Sequence, residues 1–173
     1  MNLKKFLAVF IFSAVCVPAF AAVEVRNIRW QVQDKKNVSA KAKFGDVPEL
    51  VFSSGNIKSP RFRVAAEIFN NSARSADASI IRCAFYFRLI KLSDPAKPGV
   101  WAVPFMTEER RVSKIKPGRM NEIKIQHVDI RPFLSRLRES GYWPDAVKVE
   151  CMVDPRPGDE IAVAESVIPV KSR

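Results

Sequence analysis

Cys83 and Cys151 have the clearest covalent chemistry in this 173-residue chain, because two thiols can oxidise to a disulfide. Each lies in an alternating run, in phase with large apolar neighbours such as Phe85 and Val149. Buried free thiols would fit the same pattern. A redox pair usually has adjacent cysteines in a Cys-x-x-Cys turn, and these two are far apart in the sequence. We therefore predict a structural bridge, which would stabilise the fold by roughly 4 kcal/mol on the chain-entropy model.

Acid–base and metal chemistry have little support in the sequence. His127 is the only histidine, so a zinc site of His and Cys ligands cannot be completed. Glu108 and Glu109 are adjacent, and on a strand they would point to opposite faces. Ordinary turn chemistry accounts for the three acids that flank a Pro/Gly turn, Asp154, Asp159 and Glu160. The sequence predicts no enzyme, no metal site and no cofactor.

A basic stretch surrounds the Pro117-Gly118 turn and is the candidate anion-binding site. Its cations are Arg110, Arg111, Lys114, Lys116, Arg119 and Lys124. If the flanking strands pair as a hairpin, four of these share an exposed face that could bind phosphate or carboxylate groups, namely Arg110, Lys114, Lys116 and Lys124. The alternative is that the cations only protect an edge strand from aggregation. Nucleic acid is not expected as a partner, because no stacking aromatics are interleaved with the cations.

The N-terminal residues have the pattern of a secretory signal peptide, residues 1–21. Lys4 and Lys5 give it a positive start, residues 6–17 form an apolar run, and Ala-Phe-Ala ending at Ala21 is a small-x-small cleavage site. Cleavage removes two of the positive charges that give the whole chain a net charge of +11. A basic balance of this size favours anionic partners or serves solubility alone.

Cleavage would leave residues 22–173 as a single domain in an oxidising compartment. Cys16 would be lost with the signal. Lipid anchoring through Cys16 is the alternative, but Val15 occupies the position where lipoprotein signals generally have a small residue. We expect a periplasmic or secreted protein.

The dominant pattern of the remaining chain is alternation, which predicts strands. Trp30 and Val32 continue in phase with residues 38–44, so a first hairpin with a turn at 34–37 is predicted. Residues 47–52 predict a short edge strand. Later inward-facing sets are Phe62, Val64, Ala66 and Ile68; Ile81, Cys83, Phe85, Phe87 and Leu89; Trp101, Val103 and Phe105; Ile123 and Ile125; and Val147, Val149, Cys151 and Val153, before a last strand at 161–170.

One short helix near residues 130–140 interrupts the strands. Asp129 can cap it, Pro132 falls in its first turn, and Gly141 can end it. Its apolar stripe is Ile130, Phe133, Leu134 and Leu137. About eight strands with one helical connector predict an all-β fold, an antiparallel immunoglobulin-like sandwich.

Four stretches of this sequence resemble bacterial cell-adhesion-related (CARDB-type) immunoglobulin-like domains. Residues 63–72, RVAAEIFNNS, read as an alternating strand that ends in Asn and a small residue, and the aromatic-rich 84–87 follows. The apolar-x-Pro-Gly turn at 115–118 and the Gly-Tyr pair with its valine-rich strand at 141–154 are also similar. The resemblance implies a sandwich used for adhesion or display, with no catalytic site. The helix, the long 92–116 segment and the cysteine pair depart from that pattern.

A second alignment has the Cys…Trp…Cys order of antibody-type domains, with Cys83, Trp101 and Cys151. Val149 then occupies the position that a tyrosine corner would fill. Both alignments give the same fold class. The expected function is an exported, non-enzymatic interaction module of the bacterial cell envelope that binds an envelope protein. The alternative is a binder of anionic envelope polysaccharide or lipid through the basic hairpin.

Overall fold

A computed structural model describes residues 23–33, 43–53, 57, 59–125, 129–155 and 161–172. The predicted signal peptide, the turn at 34–37, His127, Asp159 and Glu160 lie outside the described residues. No helix in these ranges is long and apolar enough to cross a membrane.

The described residues form ten strands and one helix. They are β1 (Val23–Gln33), β2 (Phe44–Asp46), β3 (Leu50–Phe52), β4 (Phe62–Asn70), β5 (Ala76–Lys91), β6 (Val100–Trp101), β7 (Met106–Ile115), β8 (Met120–Ile125), α1 (Arg131–Glu139), β9 (Tyr142–Val153) and β10 (Val163–Ser172). Three of the strands have only two or three residues, which explains the excess over the predicted eight.

The strands form two sheets. Sheet one has the order β2-β1-β4-β8, and sheet two has the order β3-β10-β9-β5-β6, with β7 also pairing with β5. All pairs are antiparallel except β3 with β10, which is parallel. The predicted edge strand at 47–52 is therefore the edge strand β3, although its parallel pairing was not anticipated.

The core lies between the sheets, as the alternation predicts. Val64, Ile68 and Ile81 are completely buried, and Phe85 packs edge-on against Trp30. Trp30 also donates a hydrogen bond across the core, from Nε1 to Ser166 Oγ on β10, at 3.0 Å. Burial of the inward residues from both layers is the main driving force for this packing. The fold is an antiparallel immunoglobulin-like β-sandwich.

Cys83 and Cys151 form the predicted disulfide. They are directly opposite one another on β5 and β9, with Cα atoms 4.1 Å apart, and both are buried. The bridge therefore joins neighbouring strands of sheet two, whereas antibody-type domains link their two sheets. Trp101 does not pack on the bridge, because it lies near Lys148, 5.0 Å from the ring centroid, on the outer face of sheet two. The antibody-type alignment is wrong in both respects.

The predicted strand through Trp101, Val103 and Phe105 is only partly correct. β6 ends at Trp101, and the side chain of Val103 is 82% exposed. Phe105 turns inward and stacks on Phe87 at 3.9 Å between ring centroids. Alternation fails here because the chain leaves the sheet edge between β6 and β7.

Helix α1 begins and ends close to the predicted positions. Asp129 Oδ1 accepts a hydrogen bond from the Arg131 backbone N–H at 3.0 Å, although Ile130 occupies the N-cap position. Pro132 lies in the first turn, and Gly141 has a φ of +78°, a left-handed conformation that suits glycine after a helix.

Candidate functional site

The predicted basic hairpin does not form. β7 pairs with β5 in sheet two, and β8 pairs with β4 in sheet one. The Pro117-Gly118 turn therefore connects the edges of two different sheets. The four cations that were predicted to share a face therefore do not do so, namely Arg110, Lys114, Lys116 and Lys124.

Register places the strand cations in separate environments. Arg110 lies opposite Ile81 on the inward side of the edge strand β7, and Arg111 therefore points outward. Lys124 alternates with the inward-facing Ile123 and Ile125, so it lies on the outer face of sheet one. Arg111 and Lys124 are thus on opposite faces of the sandwich.

Carboxylates neutralise several of these cations. Arg110 pairs with Glu108 at 2.5 Å, and its buried Nε has no hydrogen-bond partner among the described residues. Lys114 Nζ lies 4.0 Å from Asp77, and Lys124 Nζ lies 3.1 Å from Glu122. The hydrogen bond from Lys124 lowers the pKa of Glu122. An inward-pointing ion pair on an edge strand discourages edge-to-edge pairing, which supports the protective interpretation for Arg110.

Lys116 and Arg119 remain as solvent-exposed cations on the turn, and Arg74 joins them from the loop between β4 and β5. Asn70 holds these two segments together. Its side-chain Nδ2 donates to the carbonyl oxygens of Arg74 and Ile115, both at 2.8 Å. Its backbone N–H donates to the Arg119 carbonyl at 3.1 Å. We call Arg74, Lys116 and Arg119 the basic end.

Arg74 was missed because it lies 36 residues before the nearest predicted cation, Arg110. The available signal was Asn70 at the end of an alternating strand with Ser72 two residues later. Asn in that position hydrogen-bonds nearby backbone, and here its Oδ1 accepts from the Ser72 N–H at 3.0 Å. Sequence alone does not indicate that the same amide reaches Ile115.

The opposite end of the sandwich carries an apolar groove between α1 and the 102–105 segment. Its volume is about 390 Å³. The floor is the inner face of β5, and the walls include Phe105 and Val103 on one side and Phe133 and Leu137 on the other. Arg136 also lines the groove. Phe133 and Leu137 belong to the predicted apolar stripe of α1, but they are half-buried, and only Leu134 of the helix is fully covered.

A network of ion pairs and cation–π contacts covers the outer face of sheet two. Lys148 Nζ bonds Glu150 at 2.5 Å and lies 4.8 Å from the Tyr86 ring centroid. The hydrogen bond raises the pKa of Lys148 and lowers that of Glu150. The hydrogen bond to Glu150 raises the pKa of Tyr86. These groups satisfy one another, which is typical of a structural network and not of an acid–base site.

In the part of the chain that the structure describes, neither the groove nor the outer face of sheet two brings together a catalytic set. Within the residues that the structure describes, no three His, Cys, Asp or Glu side chains are placed to hold a metal ion. Among the described residues, Arg136 is the one ionisable side chain that lines the groove. What the arrangement offers chemically is an apolar cleft at one end and surplus positive charge at the other.

The strand pairing defines the class of protein: an all-β immunoglobulin-like sandwich. No family model matches the sequence, and no curated protein matches it. The resemblance to CARDB-type domains therefore stays a prediction.

Solved structures similar to this chain have low sequence identity. An immunoglobulin-like protein from Pseudomonas aeruginosa is 13% identical, covering 88% of this chain and 99% of its own, with a TM-score of 0.39. The sporulation control protein of Bacillus subtilis is 11% identical, with a TM-score of 0.40. The match covers 89% of this chain and 51% of the length of that protein. The ligand-binding region of serine-glutamate repeat protein A from Enterococcus faecium is 12% identical, with a TM-score of 0.28. The match covers 81% of this chain and 90% of that region. Such low scores carry no argument about function.

Proposed function

We propose that the chain is an exported, non-enzymatic interaction module of the bacterial cell envelope, acting through protein–protein contacts. The apolar groove is the observation that carries this proposal. It places half-buried aromatic rings, Phe105 and Phe133, beside the strongly exposed Val103. Clefts of this size that are lined by apolar and aromatic side chains with few polar groups are typical binding sites.

A protein partner fits the groove better than a reacting substrate. The cleft lies at the surface, and its lining extends onto Val103, which offers apolar area to a partner. Aromatic anchors within a rim of polar groups are characteristic of protein interfaces. Arg136 and Ser140 supply such a rim on α1. A partner segment with an apolar side chain would fill the cleft.

The disulfide supports the proposed compartment. Bridges persist in oxidising compartments and are rare in the cytosol. Cys83 and Cys151 are both buried, so their bridge is shielded from thiols in solution. Together with the predicted signal peptide, the bridge favours the periplasm or the exterior of the cell.

Site-specific photo-crosslinking in intact cells tests the binding surface. A photoreactive amino acid at Val103 should give a discrete adduct with one envelope protein. The matched control is Val163, an exposed valine on the outer face of sheet two, 56% exposed, which should give none. Equal adducts from both positions, or none from position 103, would refute the proposal.

Export is tested separately by thiol labelling. In denatured extracts made without reductant, the cysteines of the mature chain should resist maleimide, and they should react after reduction. A chain without residues 1–21 should stay in the cytoplasm with reactive thiols. Reactive thiols in the mature form of the full chain would contradict an oxidising location.

A further inference from the structure

We propose that the basic end, Arg74, Lys116 and Arg119, binds a polymer with recurring anionic groups. This site is at the opposite end of the sandwich from the apolar groove and does not depend on the function proposed for the groove. It differs from the predicted hairpin, since it takes two of the predicted cations and adds a third from another loop.

The backbone of the basic end is held in place by one buried amide. Asn70 is completely buried, and its side chain bonds the carbonyls of Arg74 and Ile115. The Arg119 N–H donates to the Lys116 carbonyl at 3.1 Å, and the Gly118 N–H donates to the Asn70 carbonyl at 2.9 Å. The two cationic loops are therefore fixed relative to each other before any ligand arrives. Such preorganisation lowers the entropy cost of binding.

The positive charge at this end is in surplus. Two carboxylates lie nearby in the strand register, Glu24 on β1 and Asp77 on β5. Glu24 pairs with Arg26, and Asp77 with Lys114. The ion pairs formed by the described acids join them to cations outside the basic end.

The exposure of these cations favours a polymer over a single small anion. All three side chains are solvent-exposed on turns. An exposed ion pair is weak and is screened by salt, so one isolated phosphate or carboxylate would be held weakly. A polymer engages several cations at once, and its linked contacts gain from high effective concentration.

Two triple variants of equal charge test this proposal, with heparin as the polyanion probe. Arg74→Gln/Lys116→Gln/Arg119→Gln removes the basic end. The control Lys43→Gln/Arg61→Gln/Lys91→Gln removes three exposed cations at the other end of the sandwich. The two ends are far apart, because the nine residues of β4, from Phe62 to Asn70, span about 30 Å. Affinity is measured by calorimetry over a range of salt concentrations.

The basic-end variant should bind heparin at least tenfold more weakly, and its affinity should depend less steeply on salt. The control should stay within twofold of the parent protein. Equal losses in both variants would show that net charge alone attracts the polymer, and unchanged binding in both would exclude the site; either result overturns the proposal. Thermal unfolding of each variant checks that the exposed substitutions leave the fold intact.

A second arm separates a polymer from a membrane. Vesicles of anionic phospholipid are offered to the same three proteins. Binding to heparin that depends on the basic end, with weaker vesicle binding, supports the proposal. Vesicle binding that depends on the basic end without heparin binding would overturn it and would identify a lipid surface as the ligand.

Discussion

Asn70, the last residue of β4, should contribute strongly to stability through its side-chain hydrogen bonds. Asn70→Ala removes two donated bonds, to Arg74 and Ile115, and two accepted bonds, both from Ser72. The Ile115 carbonyl is buried and would be left unpaired, at a cost of about 1–3 kcal/mol. The other three bonds have access to water and contribute about 0.5–1 kcal/mol each. We expect a loss of roughly 2.5–6 kcal/mol.

Urea unfolding followed by circular dichroism measures this loss, provided that the m-value is unchanged. The control is Asn71→Ala, because Asn71 is exposed and adjacent, and this change should stay within about 0.5 kcal/mol. A loss below about 1 kcal/mol for Asn70→Ala would refute the role of the buried amide.

Asn70→Asp separates the donated bonds from the accepted ones. The carboxylate keeps the bonds from Ser72 but faces two carbonyl oxygens without a donor. Burial and these carbonyls should raise its pKa in the folded state. The stability that depends on its proton is then present at low pH and lost as pH rises through that folded pKa. The deficit of Asn70→Asp against the parent protein should therefore shrink as pH falls from 7 towards 5, and a constant deficit would contradict the geometry.

Three further predictions concern the core and the outer face. Replacing both Cys83 and Cys151 by Ala should lower the free energy of unfolding by roughly 4 kcal/mol in urea, and a loss below about 1 kcal/mol would mean that the bridge does not constrain the unfolded chain. Trp30→Phe should cost about 1–3 kcal/mol, because it loses the indole hydrogen bond to β10 and part of its buried area, and no measurable change in the urea midpoint would contradict that contact. Lys148 lowers the pKa of Glu150, so this carboxylate stabilises the fold above its unfolded pKa and the contribution is lost as pH falls through the lower folded pKa. Glu150→Gln should therefore flatten the stability profile on its acid side, below the ordinary pKa of a glutamate, and an unchanged profile would show that the pair is not coupled in solution.

The sequence predicted the strands whose inward side chains alternate strictly. β4, β5 and β9 all have such runs, and their burial repeats every second residue through most of their length. The same alternation put both cysteines on the buried face, but buried free thiols would fit it equally well, and the predicted export was what favoured a disulfide. The period of two residues identifies the buried face but carries no information on which strands are neighbours.

Pairing between strands was therefore the part that sequence could not supply. A Pro-Gly turn between two strands is the usual mark of a hairpin, but β7 pairs with the long strand β5 and β8 with β4. The basic residues were separated as a result. Arg74 joined Lys116 and Arg119 only through Asn70, whose bond to Ile115 spans 45 residues. Contacts at such separations depend on the complete topology and have no local signal.

Affinity for the protein crosslinked through position 103 tests the central claim most directly. The partner is purified, and its dissociation constant is measured for the parent chain and for Val103→Glu and Val163→Glu. Burying a valine contributes about 1.5–3 kcal/mol, so Val103→Glu should weaken binding at least tenfold, and Val163→Glu should stay within about twofold. Equal affinity in all three proteins would contradict the groove as the site of interaction.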